Sequence, residues 1–266
     1  MKNDEIFQYD NIRYSVIDVS RREVRVGTGV YSETDPNAVN KTYSGTLYIP
    51  NFVTYCDIVW RVVEIGQSSF VYCDNIITVR ISYSIEIIKM LAFFRCHYIE
   101  SIKFEPHSRL KTLELQCFYD LYRVTSIEFG GDQLQTINEA AFAFNFILKS
   151  LRFPVSVNNI KRTALIGLKQ IEKIEFCGKT PILNDVFKRY KSPIDKTPTT
   201  VDIKVTSDYQ SSIFGIDDKV VVDDSINCFF PHSIRDFDLQ CRTIYNNNVY
   251  HISYSLYTVF ILIYES

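Results

Sequence analysis

The chain has no Cys-x-x-Cys pair, and its cysteine count of seven is odd. That spacing and count argue against both a clustered zinc site and a complete disulfide framework. Neither sign of charge is in excess, since 29 basic residues face 31 acidic ones for a net charge of −2. A nucleic-acid binder normally carries a basic excess on one face, so nucleic acid is not expected as a partner. Phosphate loops are missing too: Gly130-Gly131 is followed by Asp132-Gln133 and not by Lys with Ser or Thr. The four histidines, His97, His107, His232 and His251, have no carboxylate or cysteine at the spacing of a metal site or a triad, and His97 is expected to point away from its neighbour Cys96. Catalysis, cofactors and metals are therefore not expected. The first ten residues hold no apolar run of signal-peptide length, which gives no support to conventional secretion. Near the C-terminus, Ile252 to Tyr264 is mostly apolar but much shorter than the ~20 residues of a bilayer crossing. It reads as a buried strand or cap segment, with a truncated membrane anchor as the alternative.

What the chain has is a register. Bulky apolar residues recur in five rows, the first being Val62, Ile65, Phe70, Cys73, Ile76, Val79, Ile81 and the second Ile85, Ile88, Phe93, Cys96, Ile99, Ile102, Phe104. The others are Leu110, Leu113, Phe118, Leu121, Val124, Ile127, Phe129; then Leu134, Ile137, Phe142, Asn145, Leu148, Leu151, Phe153; then Val157, Ile160, Leu165, Leu168, Ile171, Ile174, Phe176. Offsets within every row are 3, 5, 3, 3, 3 and 2, and Asn145 is the one polar interruption. A fixed period of 23 to 25 residues is the signature of a solenoid, whose units cannot bury their own apolar faces and must stack. Length varies only between rows, at segments such as Glu105 to Arg109 and Gly130 to Gln133, which marks those segments as surface turns. The residue before each Phe or Leu anchor is small (Ser69, Ala92, Cys117, Ala141, Ala164), so adjacent coils can approach closely.

Row ends such as Ile99-Glu-Ser-Ile102-Lys-Phe104 alternate apolar and polar residues, the period of a half-buried strand. The anchor segments, with apolar residues three apart and helix formers as in Asn138 to Phe144, predict a short helix or helical turn. One coil is thus strand, turn, short helix, turn. Stacked at about 4.8 Å, the coils would build one parallel sheet of five strands.

These residues resemble the leucine-rich repeat of BspA-like surface proteins, whose repeat runs roughly Ile-Gly-x-x-Ala-Phe-x-x-Cys-x-x-Leu-x-x-Ile-x-Ile-Pro. Ile65-Gly66-Gln-Ser-Ser-Phe70-Val-Tyr-Cys73 and Leu91-Ala92-Phe93-Phe-Arg-Cys96 match it most closely, and Phe153-Pro154 keeps the proline that ends the strand. Gly45-Thr-Leu47-Tyr-Ile49-Pro50 ahead of Ile58 to Gly66 is similar to the family's N-terminal part. Leu121, Asn145 and Leu168 depart from the pattern at the Cys position. The resemblance implies an α/β repeat solenoid with a parallel concave sheet and short convex helices. It also implies a non-catalytic protein-binding role, of the surface antigen or adhesin type that attaches to host or cell-surface proteins.

Residues 12 to 19 and 22 to 26 alternate apolar and polar residues and predict a β hairpin over the open edge of the first coil. The expected division is an N-terminal β cap at 1–42, the repeats at 43–178, a linker at 179–200 marked by Pro181, Pro193 and Pro198, and an irregular C-terminal cap or tail at 201–266. Val201 to Val205 and Val220 to Val222 are strand candidates within the last part. Between the apolar positions of each strand, two columns face the concave side: Thr78, Ser101, Ser126, Ser150, Lys173 and Arg80, Lys103, Glu128, Arg152, Glu175. They are either a surface for a broad protein partner or an ordinary solvated sheet face. Tyr72, Phe94, Tyr98, Tyr119, Tyr122, Phe144 and Phe146 flank the anchors on the other side and are expected mainly to fill space between turns. Cys73 and Cys96, in one column, are expected as small buried residues and not as a disulfide. Asn40-Lys41-Thr42 is a glycosylation sequon that would matter only in a secretory compartment. An intracellular scaffold for protein–protein contact is the alternative function.

Overall fold

A computed structural model describes residues 2–187, 201–215 and 218–229, all within one compact unit spanning Met1–Ser233. His232, His251, Pro193, Pro198 and the apolar stretch from Ile252 to Tyr264 lie outside the described residues.

Eighteen strands and no helix occur among the described residues. The chain opens with β1 (Ile6–Tyr9), β2 (Ile12–Asp18) and β3 (Glu23–Val26), then β4 (Gly45–Ile49), β5 (Phe52–Tyr55) and β6 (Ile58–Ile65). Longer strands at the row ends then alternate with two-residue strands at the row starts: β7 (Ile76–Ile81), β8 (Ile87–Ile88), β9 (Ser101–Phe104), β10 (Thr112–Leu113), β11 (Ser126–Glu128), β12 (Thr136–Ile137), β13 (Ser150–Phe153), β14 (Asn159–Ile160) and β15 (Lys173–Phe176). β16 (Asp202–Val205), β17 (Ile213–Phe214) and β18 (Asp218–Val222) follow.

Every position of the five rows is at most 9% exposed, so the rows form one continuous apolar interior. The row starts build a sheet in the order β6-β8-β10-β12-β14, wholly parallel, with β5 folded back on β6 as a hairpin. β3 lies parallel to β6 on the other side, and β2 and β1 continue antiparallel from it. The expected hairpin is thus present as β2 and β3, with β1 as an additional strand.

The anchor segments are turns, which corrects the expectation of short helices. The backbone enters the left-handed region twice per coil, two residues before and two residues after each anchor. The positions before the anchors are Ser68, Leu91, Gln116, Ala140 and Thr163, and those after them are Tyr72, Arg95, Asp120, Phe144 and Gly167, with φ between 52° and 72°. Such a conformation costs a non-glycine residue ~1–2 kcal/mol and ends any α-helix. It also turns N–H groups along the stack. Each anchor donates to the carbonyl of the small residue one coil on: Phe70 to Ala92 (2.8 Å), Phe93 to Cys117 (2.9 Å), Phe118 to Ala141 (2.9 Å), Phe142 to Ala164 (3.0 Å). The residues two before and two after do likewise, as Leu91 to Leu115 (3.1 Å) and Arg95 to Tyr119 (2.9 Å) show. Three-residue turn bonds, such as Cys96 N–H to Phe93 O and Ile99 N–H to Cys96 O at 3.3 Å, give the apolar spacing that resembled a helix.

The expected single sheet of row ends is two sheets. β4, β7, β9 and β11 form one parallel ladder; β13, β15, β16 and β18 form another, closed by antiparallel β17. The break falls after β11, where Gly130 presses on the preceding turn so closely that a Cβ there would meet Glu105 O at 2.0 Å. Parallel pairing also runs past Phe176, where the pattern was expected to stop. Leu165 N–H bonds Val186 O at 3.0 Å and Asn184 Nδ2 bonds Ile160 O at 2.7 Å, so residues up to Phe187, expected as the start of a linker, complete a sixth coil. Cys177 is joined to Cys228, a disulfide that sequence reasoning missed because the two lie 51 residues apart and only Cys177 adjoins a row.

Asn145 is fully buried and satisfied: its Nδ2 donates to Phe118 O (3.1 Å) and its Oδ1 accepts from Leu121 N–H (2.9 Å). Cys96 Sγ occupies the same place, 2.8 Å from Phe70 O. At these two coils the column thus supplies a donor to the previous anchor's carbonyl, an amide at Asn145 and a thiol at Cys96, whereas Leu121 and Leu168 fill the same place with apolar packing alone.

On the outer face of the row-start sheet, charges alternate up the stack. Arg61 joins Glu23 of β3 to Glu86 (3.2 Å), and Lys111 bonds Glu86 from the next coil at 2.6 Å. Burial pushes the Glu86 carboxyl up, but Lys111 and Arg61 outweigh it and the net direction is down.

Replacing Asn145 by Leu, the side chain its neighbours carry, should destabilise the fold by about 1–3 kcal/mol, because Leu121 N–H and Phe118 C=O lose their partner; urea unfolding measures it. For Glu86, a lowered carboxyl stabilises above the ordinary glutamate value of about 4.3 and loses that contribution as pH falls through its own pKa. The stability gap between the native chain and Glu86→Gln should therefore be about 1 kcal/mol near neutrality and close in acid, as read from thermal melts across pH.

Candidate functional site

The two expected columns exist, and the pleat explains them: apolar side chains point in, so the residues between them share the outer face. Thr78, Ser101 and Ser126 are direct neighbours across β7, β9 and β11, as are Arg80, Lys103 and Glu128. Ser150 pairs with Lys173, and Arg152 with Glu175, across β13 and β15. The sheet break leaves these as two half-columns. Thr46 and Tyr48 of β4 extend the first half, and Asp202 and Lys204 of β16 extend the second. Their signal was legible in the alternation of Gly45 to Ile49 and of Val201 to Val205.

The two halves differ in what is already engaged. In the second, Lys173 pairs with Glu175 (2.9 Å), Lys204 pairs with Asp223 (2.7 Å), and Arg152 donates to Asn227 O (3.2 Å) next to the Cys177–Cys228 bridge. The first half is more open. Lys103 and Glu128 pair at 3.1 Å, but each is 60% exposed, so solvent screens the pair. Arg80 lies 6.0 Å over the exposed Tyr48 ring, and burial pushes the nearby Glu105 carboxyl up.

On the turn side six of the seven aromatic residues meet ring to ring from coil to coil, while Tyr98 lies under Arg123. Phe94 and Tyr119 lie 5.0 Å apart, and His97, Tyr122 and Phe146 form a stack with spacings of 4.6 and 5.3 Å. Packing between turns is therefore one of their roles, as expected. His97 does have carboxylate neighbours, contrary to the reading from spacing along the chain. Its Nδ1 is 3.1 Å from Asp74 and its Nε2 is 3.8 Å from Asp120. Asp74, His97 and Tyr122 hold the same place in successive coils, so the repeat period, and not local spacing, brings them together. Among the described residues no group of three or more His, Cys, Asp or Glu could hold a metal ion, and no helix is long and apolar enough to cross a membrane.

Six copies of the model for the BspA type leucine rich repeat region match residues 63–192. The chain carries a BspA-type leucine-rich repeat region. Its fold is shared by the pneumococcal vaccine antigen PcpA, with a TM-score of 0.54 and 22% identity over 83% of this chain and 51% of that one. A leucine-rich repeat protein of Bacteroides ovatus gives a TM-score of 0.52 and 19% identity over 79% and 61%. The leucine-rich repeat protein of T. pallidum gives 0.54 and 15% over 92% and 97%. The chain thus spans only half to three fifths of the length of the first two. No curated protein matches it.

In the BspA-type stack the cysteine column is inert packing. Cys73 and Cys96 are free and buried, as expected, and Cys117 joins them from the place before an anchor. Burial pushes the Cys73 thiol up to about 12 and those of Cys96 and Cys117 upward as well. Cys56 is free and exposed. Iodoacetamide at pH 8 should therefore modify Cys56 in the native protein and reach Cys73, Cys96 and Cys117 only after unfolding, with Cys177 recovered joined to Cys228 in peptide mass maps.

Proposed function

We propose that this BspA-type stack is a non-catalytic binding protein that engages a protein partner through the outer face of the row-end strands, in the manner of a surface antigen or adhesin. The observation carrying this reading is the register of Thr78, Ser101, Ser126 with Arg80, Lys103, Glu128, which arrays hydroxyls beside charges on neighbouring strands. Such an array suits a broad or extended partner whose individual contacts are modest. Ser150, Arg152, Lys173 and Glu175 belong to the same surface in this reading, with a smaller share because their charges are engaged within the chain. The Cys177–Cys228 bridge supports the surface side of the proposal, since disulfides persist in oxidising compartments.

The repeats at 43–178 form the solenoid proper in this reading, extended by the sixth coil. The meander within 1–42 acts as its cap, with β3 covering the edge of β6 and Ala38 bonding Ser69 O at 3.0 Å as though from a preceding coil. The strands after residue 201 close the second ladder.

In a solid-phase assay against fibronectin, fibrinogen and host-cell surfaces, the chain should bind at least one of them, and the pair Arg80→Glu with Lys103→Glu should weaken that binding about tenfold. Binding no better than a scrambled-surface control would remove the adhesive reading. Protease shaving of intact cells should cut the chain, whereas an internal scaffold would stay whole.

A further inference from the structure

The turn side carries two cations that rest on rings of the preceding coils and form no ion pair among the described residues. The fourth residue after each anchor forms a column, Asp74, His97, Tyr122, Phe146, Lys169, with an acid at one end, a cation at the other and stacked rings between them. Lys169 Nζ sits 3.6 Å from the centre of the Phe146 ring. In the next column the Arg123 guanidinium lies 4.3 Å over the ring of Tyr98. Asp74 and Asp120 are used internally. Asp74 accepts from His97 N–H at 2.9 Å and faces its ring nitrogen, while Asp120 is buried between Arg95 Nε (3.4 Å) and His97 Nε2 (3.8 Å). Arg123 and Lys169 have no ion pair to any described residue, and both are held against rings.

We propose that this face is a second docking surface, distinct from the one above, and that it takes an acidic segment of a polypeptide. Charge complementarity selects the partner: Arg123 and Lys169 are without an ion pair, while Asp74 faces His97 and Asp120 is buried. A cation resting on a ring is positioned before binding, so less side-chain freedom is lost when a carboxylate arrives. Arg123 offers a planar fork to one carboxylate and Lys169 a point charge to another. Tyr98 and Tyr122, 42% and 44% exposed, flank them with amphipathic edges of the kind found at the centres of protein interfaces. The two cations are two coils apart, roughly 10 Å along the stack, which matches two acids about three residues apart in an extended chain.

Fluorescence anisotropy with a labelled extended peptide carrying Glu-x-x-Glu tests this, against the same peptide with Gln at both places and against a heparin oligosaccharide. The acidic peptide should bind and weaken steeply with added NaCl. Arg123→Glu with Lys169→Glu should reduce its affinity at least tenfold, and Arg80→Glu with Lys103→Glu should leave it unchanged. Should the reversed charges unfold the chain, Arg123→Gln with Lys169→Gln is expected to give a smaller loss in the same direction. Equal binding of the Gln peptide, equal loss in both variant pairs, or binding of heparin alone would overturn the assignment.

Discussion

The architecture depends on the direction of a few N–H groups. Around each anchor the chain twice adopts a left-handed conformation, and the amides so turned find carbonyls only on the adjacent coil. A buried amide without a partner is costly, so no coil is stable alone. The small residues before the anchors follow from the same constraint. Their carbonyls receive the anchor amides of the preceding coil, and at Ala92, Ala141 and Ala164 a larger side chain would push the coils apart. Gly167 shows the limit, since any Cβ there would lie 2.5 Å from the Phe144 ring.

Side-chain chemistry follows the same axis. Because equivalent residues lie one above another, any interaction possible once tends to recur: phenyl on phenyl from Phe70 through Phe93 and Phe118 to Phe142, and charge on opposite charge from Glu23 to Lys111. Rows of this kind make surfaces and not pockets. They present a few group types again and again at the coil spacing, which suits extended or broad partners better than a small molecule held on all sides.

Columns also separate neighbouring faces. Glu105 beside Tyr48 and Arg80, and Asp120 between Arg95 and His97, are both carboxyls that burial pushes up. They belong to different sides of the stack, the outer strand face and the turn face. The disulfide and the Arg152 to Asn227 contact tie the later strands to the repeats, leaving the earlier half of the strand face the more open one.

The amino-acid sequence alone determined the period, the buried rows and the outward columns, because alternation and fixed spacing are properties of side chains that burial must respect. It determined the hairpin of β2 and β3 for the same reason. Three-residue apolar spacing could not tell a helix from a succession of turns, since both bury every third or fourth residue; the backbone angles that decide between them come from bonds to the next coil. The sheet break after β11, the sixth coil around Val186, the pairing of Cys177 with Cys228 and the place of His97 between Asp74 and Asp120 were likewise settled only by the stacked structure. Each joins residues more than 20 positions apart, where contact follows from three-dimensional register and leaves no local mark.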